Sequence, residues 1–316
     1  MGSSTQPKLP VIDLFSENLN LNSNSWGTKC DEVRHALEEY GCFIAMYDGV
    51  PCEVRDAMFL ATQELFNLPT EVKVLNIIAD APYSGYVGQQ PMAPLYESFG
   101  IEDVTTKEGV ESFTKLMCPS GNQSLSESVL MYSTAVAKLH YIVMKMITKS
   151  YGIEEHYEAM HGSTTYLFKP TKYLPAQGAE KMLGITPHTD KSFMTYLTQD
   201  ETNGLEICTK DGEWVEVDYP SSSSFVVMAG DAFMAWTNGR IESPNHRVMM
   251  AGDKERYSTG LFATIKDHII QVPQQLVDEN HPLQFQAFDH YKYMNFSIYT
   301  PEGMSSKCPI KTYCGT

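Results

Sequence analysis

The sequence predicts a mixed α/β (α+β) protein: a mainly helical first half, then a β-rich second half built as a sandwich, barrel or jelly roll. Three observations predict it. Leu125, Val129, Tyr132, Val136, Leu139, Val143 and Met146 follow one another at steps of four and three, which is one continuous apolar stripe on a helix over about 124–151. After about residue 162 the pattern changes to short strand-like runs: S-F-M-T-Y-L-T, L-E-I-C-T, E-W-V-E-V, S-F-V-V-M-A, H-R-V-M-M-A and S-T-G-L-F-A-T. Turn pairs divide them at 203–204, 211–212, 230–231, 238–239 and 252–253. There is no strand–helix alternation and no G-x-G-x-x-G after a strand, so a nucleotide-binding parallel sheet is not expected.

In chain order, residues 1–8 form a polar tail and L-P-V-I-D-L (Leu9 to Leu14) a short buried strand. Glu17 to Ser25 is a loop. A helix then carries Val33, Ala36, Leu37 and Tyr40 on one face, with Thr28 and Asp31 as a capping box and Gly41 as its stop. Cys42 to Tyr47 is a strand, and D-G-V-P a turn. Val54, Met58, Ala61 and Leu65 mark a second helix that ends at Asn67 to Pro69. Residues 80–100, rich in Pro, Gly and Tyr, form a long loop that reads either as a pocket wall or as a surface loop pinned by its own tyrosines. On the long helix that follows, which Gly152 terminates, His140 and Tyr141 lie off the stripe and need no function. Residues 284–296 form a C-terminal helix packed on the strands. The expected organisation is a helical region over 1–160, the β core over 161–283 and a C-terminal helix and tail over 284–316.

The 316 residues carry a net charge of −16, which argues against nucleic acid and against an anionic membrane surface. Seven cysteines, an odd number with no C-x-x-C pair, indicate free thiols in a reducing compartment. The N-terminal residues lack the apolar core of a signal peptide, and no apolar run approaches a membrane span. A cytoplasmic monomer acting on a small molecule, with no nucleic-acid or membrane partner, is the expectation.

The chemistry centres on P-H-T-D, Pro187 to Asp190. A strand presents residues i and i+2 on one face, so His188 and Asp190 can point together, and His246 from a later strand can complete a site with two histidines and one carboxylate. That donor set suits a non-haem Fe(II) with open positions. H-x-D alone is a weak signal, a lone His246 is more often a satisfied core histidine, and a lone Arg256 is more often a surface charge. The joint pattern is specific: 55 residues separate Asp190 from His246, and R-Y-S follows ten residues later. Arg256 and Ser258 again sit at i and i+2. A guanidinium grips a carboxylate through two parallel hydrogen bonds, and the serine hydroxyl adds a donor. An iron site beside a receptor for the far carboxylate of a small diacid points to 2-oxoglutarate as cosubstrate.

On these motifs the sequence resembles the plant 2-oxoglutarate- and Fe(II)-dependent dioxygenases, over nearly its whole length. L-P-V-I-D-L matches their opening strand. Y-G-C-F-I-A-M-Y-D-G-V-P resembles their W-G-F-F…N-H-G-V stretch, with Tyr-Asp-Gly where Asn-His-Gly is usual, and L-F-N-L-P-T-E-V-K matches their F-F-L-P-E-E-K segment. Y-S-G-Y-V-G-Q and K-T-Y-C-G-T place it nearest the branch that holds glucosinolate side-chain dioxygenases, steroidal-alkaloid hydroxylases and flavonoid O-demethylases. The resemblance implies a double-stranded β-helix (jelly-roll) core, Fe(II) on His188, Asp190 and His246, and the 2-oxoglutarate C5 carboxylate on Arg256 and Ser258. It adds Tyr173, from a K-P-T-K-Y segment where R-x-N-x-Y is usual, as a further 2-oxoglutarate contact. Thr171 in place of the asparagine puts one minor contact in doubt. Phe262 matches an aromatic that lines the substrate pocket, and Tyr83, Tyr86, Tyr96, Phe99 and Phe193 are further wall candidates, core packing being the competing reading of each. O2 is the second cosubstrate and ascorbate a supporting reductant. The implied reaction is hydroxylation of a plant specialised metabolite, an alkaloid, flavonoid or glucosinolate-like compound, with release of succinate and CO2. O-demethylation, desaturation and a non-catalytic ligand-binding jelly roll are the alternatives. Halogenation is disfavoured, because the halogenases of this group replace the carboxylate that Asp190 retains.

Overall fold

Alternation along the central strands builds this fold. In the strand Cys42–Met46, Phe43 and Ala45 face one apolar core and Cys42 and Ile44 the other, so the strand is covered on both sides. The computed structural model describes residues 8–19, 24–78, 84–91, 93–178 and 180–316. In chain order the elements are β1 (Val11–Asp13), α1 (Asn24–Tyr40), β2 (Cys42–Met46), α2 (Cys52–Phe66), α3 (Thr70–Lys73), β3 (Tyr96–Ser98), α4 (Lys107–Met117), α5 (Gln123–Tyr151) and α6 (Glu154–His161). The β-rich part follows with β4 (Thr164–Tyr173), β5 (Met182–His188), β6 (Met194–Gln199), β7 (Leu205–Cys208), β8 (Trp214–Glu216), β9 (Ser224–Ala229), α7 (Asp231–Trp236), β10 (His246–Met250) and β11 (Arg256–Ile265). β12 (Ile269–Ile270), β13 (Phe288–Asp289), α8 (His290–Tyr299), α9 (Pro301–Ser305) and α10 (Pro309–Cys314) close the chain.

Two sheets make the jelly roll. The large one has the order β1-β2-β9-β6-β11-β4-β3, the small one β5-β10-β7-β8. Ile44, Val226 and Met228 of the large sheet meet Leu205, Ile207, Val248 and Met250 of the small sheet in one apolar cluster between them. The outer face of the large sheet, with Phe43, Phe168, Tyr196, Phe225 and Val227, packs on the helices through Val129, Tyr132, Val136, Leu139 and Val143 of α5. That outer cluster also takes in Ile12 near the start and Tyr293 and Ile310 near the end, so helices, strands and C-terminal segment share one core.

α5 begins on Asn122, whose side chain accepts from the Leu125 N–H at 3.0 Å, and stops on Gly152, whose φ of 67° is the left-handed turn that glycine adopts freely. Three details differ from the sequence reading. α1 begins at Asn24, so Thr28 lies inside the helix and does not cap it; Trp26 packs against the core and carries the helix beyond that point. The C-terminal helix starts at His290, not near 284, because Asp289 accepts from the Lys292 N–H and the preceding residues pair as β13 with β12. The short helices α3, α4, α6, α7, α9 and α10 are not part of the sequence reading.

His140 is a fourth difference, and one of consequence. It is fully buried, because α5 is covered by the other helices on one side and by the large sheet on the other. Its Nδ1 lies 3.2 Å from the Tyr196 hydroxyl, and burial, with a smaller push from His161, holds its pKa down to about 3. The folded state therefore keeps this ring neutral while an unfolded chain takes up a proton near pH 6.5. Stability rises with pH wherever the unfolded state binds more protons, so this contribution is complete above about pH 6.5 and declines between there and about pH 3. The urea midpoint should fall between pH 7 and pH 5, and fall less in His140→Phe; equal slopes would show that other groups set the acid limit.

Candidate active site

The strand pairing of the small sheet brings the two histidines together. His188 is the last residue of β5, His246 the first of β10, and the antiparallel register sets them directly opposite each other, with ring centroids 4.2 Å apart. Asp190 lies two residues past the end of β5, in the following turn and not on the strand itself. The turn brings its Oδ1 to 3.8 Å from His188 Nε2 and 3.7 Å from His246 Nε2. The three ligand atoms lie within 4.8 Å of one another, and this is the metal-competent cluster among the described residues.

The donor chemistry fits a metal ion. His188 Nδ1 lies 2.8 Å from the Thr186 carbonyl and His246 Nδ1 3.3 Å from the Pro244 carbonyl. A carbonyl only accepts, so each Nδ1 carries the hydrogen and each Nε2 lone pair faces the site. Burial, and then the neighbouring His246, lower the His188 pKa to about 4, which keeps its ring neutral at physiological pH. The Asp190 side chain is 9% exposed and its Oδ2 accepts from Thr195 Oγ1 at 2.7 Å, leaving Oδ1 toward the histidines.

A second layer fixes the turn that carries Asp190. The Asp231 N–H, at the start of α7, donates to the Asp190 carbonyl at 2.8 Å. Lys191 Nζ donates to the Asp231 carboxylate at 2.8 Å, and the Tyr293 hydroxyl of α8 donates to the same oxygen at 2.5 Å. His290 accepts from the Ile265 N–H on Nδ1 and donates from Nε2 to the Lys191 carbonyl at 2.8 Å. Hydrogen bonds of this kind orient metal ligands, and losing one typically weakens metal binding about 10–100-fold. Thr195→Val, which keeps the shape and removes the donor to Asp190, should lower Co(II) affinity by about that range. An unchanged titration would show that Thr195 does not orient the carboxylate.

The other half of the site comes from the large sheet. Arg256 opens β11 and is 3% exposed. Its Nη1 donates to Ser258 Oγ at 3.1 Å, and its Nε and Nη2 donate to Gln199 Oε1 at 3.2 and 2.8 Å. Tyr173 sits opposite Arg256 in the β4–β11 register, with the guanidinium carbon 5.1 Å from its ring centre. Burial pushes the Tyr173 hydroxyl pKa up, so it stays protonated as a donor. Both halves line one cavity of about 480 Å³, a size ordinary for a small-molecule site.

Of the expected wall residues, Phe262 and Tyr96 line this cavity. Tyr86 does not line it: its hydroxyl donates to Glu97 at 2.6 Å and its ring packs 5.0 Å from that of Phe99. Phe99 is fully buried among Phe66, Tyr86 and Phe113. Phe193 is fully buried against Phe233 and Trp236, in the bend before β6 from which its neighbour Ser192 reaches the cavity. Tyr83 lies outside the described residues. The 80–100 stretch does reach the cavity, through Val87 and Gln90, and the C-terminal helix through Met294. Sequence reasoning missed Thr195 and Gln199. Alternation along β6 sets Thr195, Leu197 and Gln199 on one face, and that was the available signal.

Known proteins agree with this geometry. Residues 157–265 match the family model of the 2OG-Fe(II) oxygenase superfamily, and residues 9–113 match that of the non-haem dioxygenase in morphine synthesis N-terminal region. The chain is 40% identical over 296 residues to a probable 2-oxoglutarate-dependent dioxygenase of Arabidopsis thaliana, AOP1.2, covering 92% of this chain and 90% of the relative. It is 30% identical to the 2-oxoglutarate-dependent dioxygenase AOP3 of the same plant, over 100% of this chain and 99% of the relative. The crystal structure of the rice dioxygenase for auxin oxidation superposes with a TM-score of 0.79 at 29% identity, covering 98% of this chain and 100% of that one. A two-histidine, one-carboxylate cluster facing an arginine–serine pair across one cavity, on a jelly roll with these relatives, leaves one conclusion: the chain belongs to the 2OG-Fe(II) oxygenase superfamily and is a 2-oxoglutarate-dependent dioxygenase that uses Fe(II).

Proposed function

We propose that His188, Asp190 and His246 hold the Fe(II), that Arg256, Ser258 and Tyr173 hold the far carboxylate of 2-oxoglutarate, and that the enzyme hydroxylates a small specialised metabolite of the alkaloid, flavonoid or glucosinolate-like kind. The carrying observation is that the metal-competent cluster and the arginine–serine pair open into the same cavity. Bound Fe(II) and 2-oxoglutarate supply the O2 activation, with 2-oxoglutarate leaving as succinate and CO2. The protein's own contribution is geometric and electrostatic. Two neutral Nε2 donors and one oriented carboxylate would hold Fe(II) through three protein ligands, a donor set suited to it. The buried guanidinium would hold the far carboxylate of the diacid, and the mostly apolar wall, including Leu167, Ile185, Leu197, Val248 and Phe262, would exclude water and hold the reacting C–H in place.

The substrate class rests on the cavity size and on the Arabidopsis relatives. O-demethylation and desaturation need only a different substrate in the same cavity, whereas Asp190 in the ligand set speaks against halogenation. The complete ligand and clamp sets speak against a non-catalytic jelly roll. Incubation with a plant metabolite extract, Fe(II), 2-oxoglutarate and ascorbate tests the reading. A product heavier by one oxygen supports hydroxylation. Loss of a methylene or of two hydrogens would replace it by demethylation or desaturation, and no Fe(II)-dependent succinate would sink it. Seven free cysteines support a reducing compartment, and we read the protein as a cytoplasmic monomer, since one chain supplies every candidate ligand. Among the described residues no helix is long and apolar enough to cross a membrane.

A further inference from the structure

We infer that Lys169 is the anchor for an oxyanion on the substrate, so that the molecule oxidised here is a small carboxylate or sulfate. This rests on the reading of the cavity as the active site. Along β4, Leu167, Lys169, Thr171 and Tyr173 all line the cavity, as alternation requires, while Lys172 points the other way and is neutralised by Glu255 at 2.7 Å. The Lys169 ammonium has no such partner: it makes no hydrogen bond or ion pair with any described residue. Its place in the β4–β11 register is informative. Ser258 pairs with Thr171, Gly260 with Lys169 and Phe262 with Leu167, so Lys169 stands one pair beyond the Arg256–Ser258 clamp, on the way to Phe262. Gly260 opposite it presents no side chain, and a Cβ there would meet Phe262 at 2.6 Å and Leu197 at 2.8 Å. The Phe262 ring and Leu197 thus pack over the Gly260 backbone, and Lys169 shares the cavity wall with both.

The charges of the cavity single out this residue. In the active-site reading Arg256 is assigned to the far carboxylate of 2-oxoglutarate, and Lys191 is neutralised by Asp231. In the loaded enzyme the charges of Fe(II) and Arg256 are matched by Asp190 and the two carboxylates of 2-oxoglutarate. The Lys169 ammonium is then the one cation among the described lining residues left without a counter-charge. A neutral substrate that closed the cavity would strip water from that ammonium and offer nothing in return, which is costly in a mostly apolar site. A carboxylate or sulfate replaces the lost water with a charge-assisted hydrogen bond.

The test uses two matched pairs that differ in charge: 4-phenylbutyrate against 4-phenylbutyramide, and phenethyl sulfate against phenethyl alcohol. Their affinities for the anaerobic enzyme loaded with Fe(II) and 2-oxoglutarate are measured by calorimetry, for the wild type, Lys169→Met and Lys169→Arg. The expected result is that at least one anion binds tenfold or more tightly than its neutral partner, that the preference vanishes in Lys169→Met and that Lys169→Arg keeps it. The pair that shows the preference says whether carboxylate or sulfate is accepted. No preference in either pair, or a preference that survives Lys169→Met, overturns the inference. The 2-oxoglutarate affinity of the same variants is read in parallel, and a loss there assigns the ammonium to the cosubstrate and also overturns it. Fe(II)-dependent release of succinate by the wild type tests the dioxygenase reading separately, so the two can fail independently.

Discussion

Asp190→Ala is expected to abolish 2-oxoglutarate turnover and to weaken Co(II) or Fe(II) binding by more than about 100-fold, beyond the range seen for partners that only orient a ligand. Asp190 is the sole carboxylate of the cluster, it is nearly buried, and its Oδ1 stands between the two Nε2 atoms at 3.8 and 3.7 Å. Removal would leave two neutral imidazoles, whose strand positions are set by the β5–β10 pairing and not by the carboxylate. The fold should therefore survive while the donor set drops to two. Succinate release and a metal titration check this together, and a variant that still turns over would remove Asp190 from the ligand set.

Arg256→Ala is expected to raise the 2-oxoglutarate requirement by roughly 30- to several thousand-fold, the equivalent of about 2–5 kcal/mol for truncating one partner of a buried charge pair. Part of that loss belongs to the free enzyme, because Gln199 Oε1 would lose two donors and Ser258 Oγ one. Arg256→Lys separates the contributions: it keeps the charge but loses the planar fork, and it should recover only part of the affinity. Metal affinity is the internal control, since Arg256 makes no hydrogen bond to the histidine–aspartate cluster. An unaltered 2-oxoglutarate dependence in Arg256→Ala would take the clamp away from this residue.

The chemistry-bearing residues were legible because each belongs to a short local pattern. His188 with Asp190 and Arg256 with Ser258 sit two residues apart, and a spacing of two aims side chains the same way whenever the backbone is extended. The pattern was right in outcome and partly wrong in cause. Arg256 and Ser258 do share a strand face, whereas Asp190 reaches His188 from a turn held by Asp231, Lys191, Tyr293 and His290. Lys191 is the next residue along, but the partners that fix it, Asp231 and His290, are 40 and 99 positions from it in the chain, and no local pattern announces them. Aromatic residues were the least legible. Phe99, Phe193 and Phe262 look alike in the sequence, yet only Phe262, on β11, meets the cavity, whereas Phe99 and Phe193 lie just outside β3 and β6 and turn into the core shared with the helices.

The sequence by itself determined the class of fold, the long helix with its apolar stripe and glycine stop, and the candidate residues proposed to hold the metal and the diacid. These depend on periodicities of two and 3.6 residues and on the donor chemistry of particular side chains, all of them local properties. Only the tertiary structure decided which end of which strand meets which: His188 opposite His246, Tyr173 opposite Arg256, Lys169 opposite Gly260. Strand register is a long-range choice, set when the two faces of each sheet find their separate cores, and a shift of one residue would turn every one of these side chains to the other face.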